Sequence, residues 1–170
     1  MLSRTKDEND TLQEEIKECN KFSPDLAIDI HCNAGGGDGA EVFHHYGGGK
    51  GKTLATNILA EITELGQNSR GAKIRKNAAG RDYYGFIREV TAPAVIVECA
   101  FVDNKADIKI IDTAAEQKKM GIAIAKGILK TLNIPEVTYS VQVGAYADRA
   151  NAEAMLKKLK AAGFTGFIKG

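Results

Sequence analysis

The chain has almost no net charge, few cysteines and no long apolar run, and each shortage excludes something. Lys and Arg total 23 against 22 Asp and Glu over 170 residues, a formal net charge of +1. That balance removes the general electrostatic ground for a nucleic-acid or acidic-membrane partner. Cys19, Cys32 and Cys99 are odd in number and form no C-x-x-C pair, so they make neither a disulfide framework nor a zinc knuckle. They read as free thiols, in the manner of small buried hydrophobes. No apolar stretch reaches the roughly 20 residues that a transmembrane helix needs. The opening "MLSRTKDENDT" is polar from Ser3 onward and lacks the basic-then-apolar order of a signal peptide.

What is present describes a folded domain. The apolar fraction is 44%, and 170 residues can bury one good core with a small second unit left over. Leu12, Ile16 and Cys19 recur at helical spacing, which predicts a helix over Asn9–Asn20. Pro24 and Asp25 then interrupt the chain before Leu26–Ile30, a short apolar run that reads as a buried strand. "GGGDG" is a loop, "AEVFHHY" a second strand, and Thr53–Leu65 a helix with Leu54, Ile58, Ile62 and Leu65 on one side. "GRDYYGFIREV" is weakly patterned and reads in part as a strand or extended segment. Ala94–Cys99 is the strongest strand, and Ala114–Leu132 a long helix. Alternating strands and helices predict an α/β fold, a mostly parallel or mixed sheet flanked by helices.

After Pro135 the pattern restarts. "VTYSVQVGAY" alternates as a strand does, "DRANAEAMLKKLKAAG" is an amphipathic helix ending at Gly163, and "FTGFI" begins another strand. This reads as an incomplete β-α-β module, too small to bury a core of its own, which either packs on the first domain or is part of a larger module.

"GGGKGKT" imitates a phosphate-binding loop. That loop needs G-x-x-x-x-G-K-[ST], so that backbone N–H groups wrap the phosphates. Gly51, Lys52 and Thr53 match its end, but Tyr46 stands where the first glycine belongs. A nucleotide binder stays as an alternative, and a glycine-rich turn leading into a helix is the simpler account. His31 and Glu98 are better candidates, since each closes a short apolar strand, "LAIDIH" and "AVIVE". In parallel sheets ligands collect at the carboxyl ends of strands. A His there can hold zinc, and a Glu there can serve as a general base. A buried carboxylate at the end of a VIV run costs several kcal/mol unless it is paired or metal-bound.

"SPDLAIDIHCNA" followed by "GAEVFHHY" resembles the central motif of the zinc-dependent N-acetylmuramoyl-L-alanine amidases of the amidase-3 type. "APAVIVECAFVDNKAD" resembles that family's later motif, and "SRTKDENDTLQEEIKECN" the segment and helix before the central one. The tail "YSVQVGAYADRANAEAMLKKLKAAGF" resembles the start of a sporulation-related repeat, the SPOR domain, which binds peptidoglycan.

The resemblance implies an amidase-3-like domain over residues 1–134 that lacks its N-terminal strand and helix, then a partial SPOR-like domain over 138–170. It makes His31 a ligand of a Zn2+ ion and Glu98 the catalytic carboxylate that activates the attacking water. The implied reaction is hydrolysis of the amide between N-acetylmuramic acid and L-alanine in peptidoglycan. The implied setting is extracellular, at the cell wall or in the periplasm. A catalytically inactive peptidoglycan-binding fragment is the alternative, because the family's other two zinc ligands precede the matching segments. Two positions depart from the family pattern: Glu15 where Arg is usual, and Asp29 where Ser is common. The resemblance assigns no substrate-binding residue.

Overall fold

The computed structural model describes residues 2, 10–135 and 141–169. The segment around Arg4 and the start of the tail through Ser140 lie outside the described residues. Two compact units are present, Met1–Glu136 and Val137–Gly170.

The first unit is built on a four-stranded mixed sheet. Its strands are β1 (Ala27–Asn33), β2 (Ala40–His44), β3 (Ser69–Lys73) and β4 (Ala94–Phe101), in the spatial order β1-β4-β2-β3. β1 pairs parallel with β4, β2 parallel with β3, and β2 antiparallel with β4. The direction of β2 follows from the six residues that separate it from β1. So short a link cannot carry the chain back to the start of the sheet, so β2 must run the other way. β2 and β3 are joined by a helix, α2 (Gly49–Thr63), as a parallel pair requires.

Helices cover both faces. α2 and α4 (Ala114–Thr131) pack on one side, where Val42, Val95 and Val97 meet Leu54, Ile58, Ile62, Met120 and Ile124. Fully burying an aliphatic side chain of this kind stabilises by about 1.5–3 kcal/mol. α1 (Leu12–Phe22) and a short α3 (Gly85–Glu89) lie on the other, where Ile16, Phe86 and Ile87 pack on Ala27, Phe43, Ala94 and Ile96. Thr11 and Glu14 form a capping box at the start of α1, and Thr113 and Glu116 form one at α4. No helix among the described residues is long and apolar enough to cross a membrane.

Three details differ from the sequence reading. "GRDYYGFIREV" is extended only at Asp82, which bridges Lys76, and then turns into α3, because Phe86 and Ile87 bury themselves against the sheet through one helical turn. β3 was not anticipated: "SRGAK" has no apolar alternation, and its ladder is supplied by β2 alone. α2 begins at Gly49, so Lys52 and Thr53 already lie inside the helix. No open glycine loop of the phosphate-binding kind precedes the lysine.

In the second unit, helix α5 (Arg149–Ala161) forms as expected, capped by Asp148. Residues 141–146 and 164–169 form no strand, and Val141, Val143, Phe164 and Phe167 are exposed. A strand requires a hydrogen-bonded neighbour, and the alternating pattern does not supply one.

Candidate active site

The parallel register of β1 and β4 sets His31 directly opposite Glu98. The antiparallel register of β4 and β2 sets Glu41 opposite Glu98 on its other side. Register partners project to the same face of a sheet, and so do residues two apart along a strand. Asp29, His31, Glu98 and Glu41 therefore share the face that α1 and α3 cover. Leu12, Asp29, His31, Tyr84, Gly85, Phe86, Ile96 and Glu98 line a cleft of about 260 Å³ on that face. The cleft has an apolar wall from the helices and a polar side formed by Asp29, His31 and Glu98 on β1 and β4.

Each polar group in it has a defined state. His31 Nε2 lies 3.0 Å from Asp29 Oδ2, and this hydrogen bond raises the His31 pKa above its ordinary value. Asp29 thus steadies the imidazole, which is half exposed. Glu98 is half-buried, and its Oε2 is buried without a hydrogen-bond partner. Burial pushes the Glu98 carboxyl up; nearby His31 opposes this, while Glu41 and Asp29 add to it. A buried carboxylate oxygen without a hydrogen-bond partner is an unsatisfied acceptor, a feature that calls for a ligand or a proton. Glu41 is different. It is 5% exposed, and its Oε2 accepts from Lys73 Nζ at 2.5 Å and Arg70 Nε at 2.8 Å, while Oε1 accepts from Asn33 Nδ2 at 3.1 Å.

The loop after β1 is tied to the segment after β4. Asp103 Oδ2 accepts from the N–H groups of Gly35 and Gly36, each at 2.8 Å, and Asn104 Nδ2 donates to the Gly37 carbonyl at 2.9 Å. The buried Asp107 accepts from Phe101 N at 2.6 Å and Gly39 N at 3.1 Å. These bonds fix the strand ends that present His31 and Glu98.

His44 and His45 belong elsewhere. β2 runs against β4, so His44 pairs with Val95, three residues before Glu98 and roughly 10 Å away along the strand. His44 is buried with Nδ1 on the His45 carbonyl, and His45 pairs with Asp82. Cys99 is buried, which pushes its thiol up to about 12, an inert state.

No group of three His, Cys, Asp or Glu side chains that could hold a metal ion occurs among the described residues. The orphaned Glu98 oxygen and the single imidazole of His31 therefore fall short of a complete donor set. Sequence reasoning missed Asp29 as the partner of His31, the buried Glu41, and Tyr84 in the cleft wall. Glu41 carried the same signal as Glu98, an acidic residue inside an apolar run.

Residues 1–130 match the N-acetylmuramoyl-L-alanine amidase family, and residues 135–170 match the SPOR domain. The chain is 28% identical over 173 residues to N-acetylmuramoyl-L-alanine amidase CwlM of Bacillus licheniformis, covering 99% of this chain and 66% of that protein. It spans the same 66% of the sporulation-specific N-acetylmuramoyl-L-alanine amidase of Bacillus subtilis, at 26% identity over 99% of this chain. Among solved structures, Cwp6 from Clostridium difficile superposes with a TM-score of 0.74 and 38% identity, covering 76% of this chain and 21% of that one.

Proposed function

The chain belongs to the N-acetylmuramoyl-L-alanine amidase family, with a SPOR domain behind its amidase part, and from that premise we propose that it hydrolyses the amide joining N-acetylmuramic acid to L-alanine in peptidoglycan. The observation that carries the reading is the in-register pair His31 and Glu98 on the rim of a cleft, with Glu98 Oε2 unpartnered.

In this reading Glu98 is the general base. A water oxygen bonds to the amide carbon as Glu98 takes one of its protons. The C–N bond then breaks, and Glu98 gives that proton to the departing amine. The products are a lactyl carboxylate on the sugar and a peptide with a free L-alanine terminus. His31, steadied by Asp29, is read as one ligand of Zn2+. The described residues do not complete that ligand set, so further donors would have to come from outside them. The SPOR part would keep the chain on its polymeric substrate and raise local concentration. Such a substrate implies an extracellular, cell-wall or periplasmic setting.

A second reading, peptidoglycan binding without turnover, is favoured by the single imidazole in the donor set. One experiment separates the two. The chain is supplied with zinc and a purified muropeptide, and the products are identified by mass. Peptides beginning with free L-alanine are expected from the enzyme. Retention on peptidoglycan without such products supports the second reading, and cleavage at any other bond overturns the first.

A further inference from the structure

The segment between β3 and α3, residues 74–84, is built as a rigid ledge. Lys76 and Asp82 form an antiparallel bridge, and Tyr83 N donates to the Arg75 carbonyl at 2.8 Å. The tip is closed by Asn77 N on the Arg81 carbonyl at 2.8 Å, while Asn77 Oδ1 accepts from the N–H groups of Ala79 and Arg81. Asp82, 2% exposed, anchors the base: Oδ1 accepts from Tyr46 N at 2.9 Å, and Oδ2 lies 3.1 Å from His45 Nε2. Arg88 donates to the carbonyls of Asp82 and Tyr83 at 2.9 and 3.1 Å.

This framework holds an exposed cation against exposed rings. The Arg75 guanidinium lies 3.9 Å from the centre of the Tyr83 ring, and its Nη1 donates to the Tyr84 hydroxyl at 3.4 Å. The two tyrosines meet edge to face with centroids 5.2 Å apart. Tyr83 is 48% exposed, and Tyr84 is the residue that lines the cleft of His31 and Glu98. Arg75 forms no ion pair among the described residues. Lys76, the next cation, rests over the Tyr46 ring at 4.3 Å. A guanidinium held against an aromatic ring, with one Nη on a hydroxyl, still has further N–H donors for a carboxylate. Rings and backbone have fixed it beforehand, so little side-chain freedom is lost on binding.

We infer that Arg75, held on Tyr83 at the border of the cleft, binds a carboxylate of the peptide arm of the substrate. The inference rests on the amidase reading. A peptide whose N-terminal amide sits at Glu98 carries its free carboxylates away from the scissile bond, and the Tyr84 wall is the side of the cleft that ends in an unpaired cation. Arg75 is a specificity residue: it selects acidic over neutral peptides and takes no part in the proton transfer.

The test uses the 170-residue chain and two probes, an N-acetylmuramoyl peptide with free carboxylates and the same peptide with every carboxyl amidated. Calorimetry on the wild type is expected to show the acidic peptide bound about tenfold more tightly, as one charge-assisted contact provides. Arg75→Gln and Arg75→Ala should abolish that preference and leave the amidated peptide bound as before. Arg75→Lys should restore part of it. Circular dichroism confirms that each variant is folded. Equal binding of both peptides by the wild type overturns the inference, and hydrolysis of either then leaves the amidase reading standing. Equal weakening of both peptides by Arg75→Gln also overturns it, since that marks a structural role. Neither binding nor hydrolysis of either peptide overturns both readings.

Discussion

His31 on β1 and Glu98 on β4 are register partners across a parallel strand pair, one imidazole and one carboxylate side by side, with the pairing running on to Asn33 and Phe101. Sixty-six residues lie between them in the chain. The same register sets Glu98 in the lining of the cleft, with its Oε2 buried and without a hydrogen-bond partner.

Glu98→Gln keeps the shape of the side chain and removes its basicity. Amide hydrolysis should fall by about 10²- to 10⁴-fold, the usual range for a lost general base. Thermal stability should not fall, because the carboxylate oxygen that is lost had no hydrogen-bond partner. Steady-state rates with a muropeptide, alongside a melting curve, check both halves.

His31→Ala should lower zinc uptake and hydrolysis together, whereas Glu98→Gln should lower hydrolysis alone. Elemental analysis of the dialysed proteins supplies the metal content. Equal zinc content in the wild type and His31→Ala would remove His31 from the ligand set.

Glu41 predicts an acid-sensitive fold. Burial pushes its carboxyl up, but hydrogen bonds from Lys73 and Arg70 outweigh burial and hold it below the ordinary value. The folded state therefore favours the ionised form more than the unfolded chain does, whose Glu titrates near about 4.3. The stabilisation is complete above that pH and is lost as pH falls through the lower folded-state value. Urea unfolding of the wild type should show this acid loss, and Glu41→Gln should flatten that part of the profile.

Two glycines of α4 make opposite predictions. A Cβ at Gly127 would stand 2.5 Å from Ile58 Cα, where α4 crosses α2, whereas a Cβ at Gly121 would meet nothing within 4 Å. Gly127→Ala should destabilise by about 1–3 kcal/mol through overpacking. Gly121→Ala should stabilise by about 0.5–1 kcal/mol, because alanine is the better helix former. Chemical denaturation of the pair reads the contrast.

Removing residues 136–170 should weaken co-sedimentation with purified sacculi while leaving the melting transition of the amidase part in place. Unchanged sedimentation would assign peptidoglycan affinity to the amidase part alone.

The amino-acid sequence by itself determined the local elements whose apolar pattern is strong. Leu54, Ile58 and Ile62 mark α2, the run at Ala94–Cys99 marks β4, and His31 and Glu98 stand out as polar residues after apolar runs, although β1 and β4 continue past them to Asn33 and Phe101. These are short-range properties, written into side-chain periodicity. The tertiary structure alone decided which strands lie side by side, and everything at the site follows from that. Placing β4 between β1 and β2 brings Glu98 between His31 and Glu41 and puts Asp29 on the same face. It also makes a strand of the polar "SRGAK", which has a ladder only because β2 lies beside it. Val141 and Val143 show the converse, an alternating pattern that forms no strand among the described residues. Strand pairing joins backbone groups far apart in the chain, and no window of local sequence records which partner a strand will find.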